Sequence, residues 1–475
     1  MSRALADFRL ENGVYRLGQF SPVSIRDQVV RATYLIEHLV AATELAQSTR
    51  LLVVGGGAAG VTAAVTAARF GLKQITLVEH ADTIMPLQSR STSRWLDPVQ
   101  YDWPASHWRQ QSWPLNEPPI RQFTAVASPF PVLKAGTAEE WATDFQNRAS
   151  GVLGAAVTAL FHTEALLWTP TSSGLAVDLR NTQTGVLTTH HATLIILAAG
   201  FGIEDSTIPD TSCPSVDFKG LDFWSDDQFE SPTMGISQHK HGVLVSGSGD
   251  GALQDFVRLS TGVRAVGDIL DAAWNSTTQT TLWKEQMAAL WHWEDHAIRA
   301  RGFSPAPLNE CEILRRLQQR HEEAVQSLVG SPEWPTLVNW FDMQTSGRIL
   351  GSVKLALKCD HFHWCYGLNR TGALIAIEYI RAKGFNPVKT NVALKSTEPV
   401  AHSCSARCWG HVHVAHIAEG VSCADNVAAI KVWPSAKTKS EHFDGLVIRH
   451  GIDPLVFGTH TFERLKPQVV PFHLP

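Results

Sequence analysis

The segment that most restricts what this chain can fold into runs from Arg50 to Glu79. The apolar run Arg50-Leu51-Leu52-Val53-Val54 leads into Gly55-Gly56-Gly57-Ala58-Ala59-Gly60. A small-residue stretch with Ala63, Ala64, Ala67 and Ala68 follows, then Gly71, then Ile75-Thr76-Leu77-Val78 ending at Glu79. Strand, glycine turn, helix and strand in that order predict a βαβ unit. Gly55, Gly57 and Gly60 stand at G-x-G-x-x-G spacing. The first allows a tight turn, the second lets backbone approach a pyrophosphate, and the third lets the helix pack closely on the strand. The helix start at Ala58 and Ala59 offers unpaired N–H groups and a partial positive charge to phosphates. Glu79 stands where an acid accepts hydrogen bonds from an adenosine ribose.

Val53-Val54-Gly55-Gly56-Gly57-Ala58-Ala59-Gly60 together with Glu79 resembles the amino-terminal FAD motif of flavoproteins built on two dinucleotide-binding domains. Two later segments extend the likeness. Val157–Trp168, Leu175–Leu179 and Leu187–Leu197 read as a small β-meander. It closes with Thr193-Leu194-Ile195-Ile196-Leu197-Ala198-Ala199-Gly200-Phe201-Gly202, similar to the hydrophobic strand and Ala-Thr-Gly-type turn of that family, where the glycine (here Gly200) packs near the cofactor. Val243-Leu244-Val245-Ser246-Gly247-Ser248-Gly249-Asp250-Gly251-Ala252 resembles the second, nicotinamide-dinucleotide motif, with Gly247 and Gly249 at its turn. The resemblance covers roughly residues 48–260 and implies an FAD-dependent oxidoreductase, with NAD(P)H as the candidate second cofactor.

The chain departs from that pattern in two places. After Gln254–Leu259 it reads as more helix, where a working second unit needs a strand that ends in an acid or is followed by basic residues. Asp250 and Asp255 bring negative charge to this helix, and Arg258 and Arg264 are the basic residues placed to offset it. The redox cysteine pair of disulfide reductases is also missing: no cysteine precedes Cys213 and no C-x-x-C occurs. That disfavours thiol–disulfide chemistry and leaves direct flavin chemistry untouched.

The excursion after Glu79 returns, in the resembled flavoproteins, across the pyrophosphate and flavin ring. Arg90 and Arg94 lie there as cofactor contacts, with ion pairing to Asp97 or Asp102 as the alternative. Tyr101-Asp102-Trp103-Pro104 reads as structural, since dense tryptophans fill cores. No residue is identified as the catalytic acid or base; His107, His411 and His413 are the candidates. The clusters Cys359–Cys365 and His402–His416 meet no standard zinc-finger spacing, and no metal is expected. Arg449-His450-Gly451, ending a strand-like run from Gly445, occupies a common ligand position in open α/β sheets.

Ser24 is placed to cap a helix whose apolar positions Ile25, Val29, Ala32, Leu35, Ile36 and Leu39 fall at helical spacing. The expected organisation is an N-terminal arm and amphipathic helix (1–47), an FAD-binding Rossmann domain with β-meander (48–205), a second Rossmann-like and helical region (206–345) and a C-terminal α/β region (346–475). No internal repeat is evident beyond the two glycine motifs. Composition narrows the class. With 40 Lys+Arg against 45 Asp+Glu the net charge is −5, which argues against wholesale binding of nucleic acid or an anionic membrane. No apolar run spans a bilayer, the first residues do not read as a secretory signal, and seven cysteines in 475 residues are no disulfide scaffold. A cytoplasmic enzyme acting on a small molecule is expected. The alternatives are a flavin oxidase or dehydrogenase working without nicotinamide, or a non-catalytic dinucleotide-sensing protein.

Overall fold

The computed structural model describes residues 3–6, 8–18, 24–97, 103, 112–113, 133–200, 202–211, 217–231, 241–276, 281–303, 309–399, 413–419, 437–453, 455–457 and 460–462. The α/β, Rossmann-type architecture expected from the sequence is present, and it is present twice.

The first unit is a six-stranded sheet in the order Arg9–Glu11, Val14–Arg16, Leu194–Leu197, Arg50–Val54, Gln74–Val78, Val157–Leu160. Its neighbours pair in parallel except for the first hairpin. Leu51–Val54 and Leu194–Leu197 are covered on both faces, which is why they read as unbroken apolar runs without alternation. Helices Ile25–Ala41, Ala58–Arg69 and Ala138–Ser150 cover one face through Val29, Leu35, Ala63, Ala67 and Phe145. The antiparallel meander Thr163–Thr171, Gly174–Asn181, Leu187–Ala192 covers the other, packing Trp168, Val177 and Leu179 against Leu52, Val54 and Ile195.

Local chemistry sets the helix starts. Ser24 accepts from the Asp27 amide at 3.1 Å, and Thr137 and Glu140 form a reciprocal capping box at 3.1 and 2.7 Å. The described residues before Thr49 pack with the first unit. Val14–Arg16 hydrogen-bonds alongside Leu194–Leu197, and Ile25–Ala41 buries its apolar stripe in the same core as Ala58–Arg69, so the expected boundary at 47/48 falls inside the first unit.

The second unit is a parallel sheet in the order Val388–Lys389, Val353–Ala356, Val243–Ser246, Gly445–Ile448. It has its own meander, Val392–Pro399, His413–Glu419, Thr438–Phe443, packed through Leu394, Ala415 and Ile417 on Leu244 and Leu446. Third strand, second, first, then the strand after the meander: this is the order of the first unit's parallel strands too. The repeat therefore extends well beyond the two glycine motifs. The second strand that the sequence reading missed is Val353–Ala356. It is displaced by four inserted helices, Val266–Asn275, Leu282–Phe303, Glu310–Val329 and Trp334–Gln344. Because this sheet takes strands from both sides of 345/346, the expected domain boundary there is also corrected.

Candidate dinucleotide site

At the first turn the glycines are required by geometry. Gly55 has φ +108°, and a Cβ there would lie 2.4 Å from the Ala198 carbonyl oxygen. A Cβ on Gly60 would lie 1.9 Å from the Gly55 carbonyl oxygen, so any side chain would push the helix off the strand. Gly57 is different. It is the N-cap of Ala58–Arg69 with ordinary extended backbone and no side-chain cap, and among the described residues nothing lies within 4 Å of a Cβ placed there. The described residues thus leave the space in front of this helix start open. Gly200, at φ +85°, likewise has no described residue within 4 Å of its Cβ position. The turn Ala198-Ala199-Gly200 lies beside Gly55 because Leu194–Leu197 pairs with Leu51–Val54.

Glu79 follows the strand that pairs on the other side of Arg50–Val54. Its side chain is 5% exposed, accepts from the Gly56 amide at 2.5 Å and the Ala81 amide at 2.8 Å, and pairs with His80 Nδ1 at 2.7 Å. These contacts fix the carboxylate against the glycine turn, and Oε2, which accepts from the Gly56 amide, has a second lone pair for a ribose. Met85 donates its amide to the Gly56 carbonyl at 2.9 Å, so the excursion does begin by crossing the turn. Arg90 ends a single helical turn, exposed to solvent.

Arg94 goes elsewhere. It is buried, donating to Asp255 and to the Phe223 carbonyl and pairing with Asp227 at 3.4 Å. These partners replace the expected Asp97 or Asp102. Asp255 also accepts from Arg449 Nε at 2.9 Å and Arg258 Nη1 at 3.3 Å. Burial opposes its charge, yet the Arg94 and Arg449 guanidiniums outweigh burial and hold its carboxyl down to about 2. A buried ionic knot thus joins the excursion of the first unit to the helix and last strand of the second. Arg449 and Asp255, read separately as a ligand position and a repulsive charge, are partners in it.

At the second turn Gly247, φ +146°, does what Gly55 does: a Cβ would lie 2.3 Å from the Arg449 carbonyl oxygen. Gly249 is the N-cap of Asp250–Thr261. Here, however, the protein's own chain lies against the turn. His363 donates its amide to the Ser248 carbonyl at 2.9 Å, and a Cβ on Gly249 would meet the Trp364 carbonyl oxygen at 3.7 Å. Asp250 accepts from the Tyr366 amide at 2.9 Å and Asn369 Nδ2 at 2.6 Å, serving the start of helix Gly367–Ala382, which has no side-chain cap of its own. Burial pushes the Asp250 carboxyl up to about 6. In the position of Glu79, strand Val353–Ala356 is followed by Leu357 and Lys358.

His413, a candidate acid or base, is fully buried, its ring edge-on to Phe218 at 5.0 Å, so it faces the core. His450 pairs with Ser246 Oγ at 2.8 Å, and burial pushes its imidazole down to about 4. Trp103 is buried in the second unit's core, as the structural reading expected. His107, His411, Tyr101, Asp102, Cys404 and Cys408 lie outside the described residues.

Two glycine turns on Rossmann-type units, the first with an acid behind it, define an architecture of the dinucleotide-binding type. The family model for pyridine nucleotide-disulphide oxidoreductases matches residues 25–99, the segment that holds the first turn and Glu79. No curated protein matches the chain. Among solved structures, thioredoxin reductase from T. acidophilum is similar at 12% identity, over 86% of this chain and 78% of that one, with a TM-score of 0.36. Thioredoxin reductase from Lactococcus lactis is similar at 10% identity, over 86% and 79%, with a TM-score of 0.39. Ornithine N-hydroxylase from Kutzneria sp. 744 is similar at 12% identity, over 86% and 82%, with a TM-score of 0.37. Among the described residues no helix is long and apolar enough to cross a membrane.

Proposed function

We propose that the chain is an FAD-dependent oxidoreductase of the cytoplasm, which takes a hydride from NAD(P)H and passes electrons on to a small organic substrate. One observation carries this reading. The first turn has the glycines that close approach requires, an open helix start at Gly57 and a fixed carboxylate at Glu79. These residues fit the ADP half of FAD. The backbone amides at Gly57, Ala58 and Ala59 supply donors and the helix dipole to its pyrophosphate, Glu79 accepts from its ribose, and Gly200 leaves room beside the turn. Bound there, FAD supplies a ring that accepts a hydride. Gly247 and Gly249 remain the proposed nicotinamide cradle, and a dinucleotide reaching them has to displace residues 363–366.

The test is a visible spectrum of the purified chain, repeated anaerobically with NADPH and then NADH. A flavin spectrum that bleaches is expected. A colourless chain that also fails reconstitution with FAD overturns the reading. Glu79→Ala is expected to weaken FAD retention by about 10–100-fold, the worth of hydrogen bonds to a charged acceptor, with Glu79→Gln in between. Unchanged retention in both would remove Glu79 from the site.

A further inference from the structure

We propose that Cys311, Cys359 and His361 form a zinc site that assembles when the disulfide of Cys359 is reduced. Their three ligand atoms all lie within 4.8 Å of one another. They come from two distant stretches: Cys311 from the first turn of helix Glu310–Val329, and Cys359 and His361 from the loop after strand Val353–Ala356. Cys311 Sγ lies 3.6 Å from His361 Nε2. A tetrahedral zinc with sulfur at about 2.3 Å and nitrogen at about 2.0 Å separates those two atoms by about 3.5 Å, so this edge is already at ligand spacing. The imidazole is set for the task. Asp360 Oδ1 holds His361 Nδ1 at 2.7 Å, which points the Nε2 lone pair at the sulfurs, the arrangement that orients metal-bound histidines. Arg315 stands behind both, 3.3 Å from Asp360 Oδ2 and 4.0 Å from Cys311 Sγ. His361 is buried. Two thiolates and an imidazole select zinc over magnesium or calcium and leave a fourth position for water.

Cys359 is disulfide-bonded in this structure, whereas Cys311 is a thiol. A dithiol reductant gives two electrons and two protons to the disulfide and is itself oxidised to a disulfide. Zn²⁺ then takes the sulfurs of Cys311 and Cys359, releasing their two protons to solvent. A reducing compartment favours this state. The metal would fasten the inserted helix Glu310–Val329 to the loop that runs on through His363 and Tyr366 over the second glycine turn. The contact of Trp364 Nε1 with Glu310 Oε2 at 3.0 Å already draws the two together.

The test uses the full-length chain, reduced with dithiothreitol and freed of reductant under anaerobic conditions. One equivalent of Zn²⁺ should survive gel filtration, and Co²⁺ in its place should show thiolate-to-cobalt charge-transfer bands. Cys311→Ser and His361→Gln should each weaken retention by tenfold or more, Asp360→Asn by about tenfold, and Cys365→Ser should leave it unchanged. Independently of any variant, zinc should protect Cys311 and Cys359 from alkylation. Failure of the reduced chain to retain zinc, cobalt without charge-transfer bands, or retention indifferent to both ligand variants overturns the site. Equal zinc uptake by the oxidised chain overturns its redox linkage.

Discussion

The two glycine turns are built on the same sequence of strands and serve different neighbours. At the first, Gly57 faces open space and Glu79 closes the turn. At the second, Gly249 faces residues of the loop before Gly367–Ala382, Asp250 stands where the first turn has Ala58, and Leu357 and Lys358 stand where it has Glu79 and His80. The glycine that must be glycine is the same in both, since Gly55 and Gly247 each lie under a carbonyl of the strand that returns from the meander. Backbone packing alone therefore preserves part of the fingerprint. What separates a cradle from a scaffold is what stands in front of the helix start.

The largest expected effect concerns the knot that joins the units. Asp255 is fully buried among Arg94, Arg449 and Arg258. Asp255→Ala would leave three guanidiniums short of a buried carboxylate, a loss of about 3–5 kcal/mol, measurable by chemical denaturation. Its pH dependence has a definite sign. A carboxyl held down to about 2 contributes stability that is present above its ordinary value and lost as pH falls through the folded one, so the variant and the parent should converge in strong acid. A small loss at pH 7 would mean that the units are held together by something else.

The second effect contrasts Asp250 with its counterpart Ala58. Burial, opposed by the hydrogen bonds from Asn369 and Tyr366, raises the Asp250 carboxyl to about 6 against an ordinary 3.8. The stability it contributes is full below that ordinary value and is lost as pH rises through about 6. Asp250→Asn keeps an acceptor for both donors and removes the charge, so it should be the more stable protein at pH 7 by roughly 2–3 kcal/mol, with the difference vanishing below about pH 4. Thermal melts of both chains across that range decide it. A difference that persists in acid would mean that the carboxylate is not what costs stability there.

The first turn was legible because everything it needs lies within thirty residues: two apolar runs, three glycines and an acid whose spacing is set by one helix. Ser24 as a cap, and the first meander, were legible for the same reason. The second unit was not. The strand Val353–Ala356 comes after four inserted helices, so local reading finds more helix where a strand was sought. Arg449 and Asp255 are 194 positions apart in the chain, and Cys311 and His361 are 50 apart. Charge signs and ligand types are visible in a sequence, but which of them face each other is decided by the sheet order. His413 shows the converse: its residue type made it a candidate acid or base, and the second meander places it in the core.

The smallest expected effect is the sharpest test of the comparison. Gly57 and Gly249 both have ordinary negative φ, −74° and −97°, so alanine strains neither backbone. Added at Gly57, a Cβ meets none of the described residues but stands where a pyrophosphate must approach; FAD affinity should fall by about tenfold, roughly 1.4 kcal/mol, with apoprotein stability unchanged. Added at Gly249, it makes an ordinary 3.7 Å contact with the Trp364 carbonyl and should leave FAD retention alone. The reduction of bound flavin by NAD(P)H then reads out the second turn directly. If the loop around Trp364 stays in place during turnover, Gly249→Ala leaves the nicotinamide dependence unchanged and the hydride donor approaches by another route. If Gly249→Ala weakens that dependence as Gly57→Ala weakens FAD binding, the loop moves aside and the two turns are functionally alike, whatever their difference at rest.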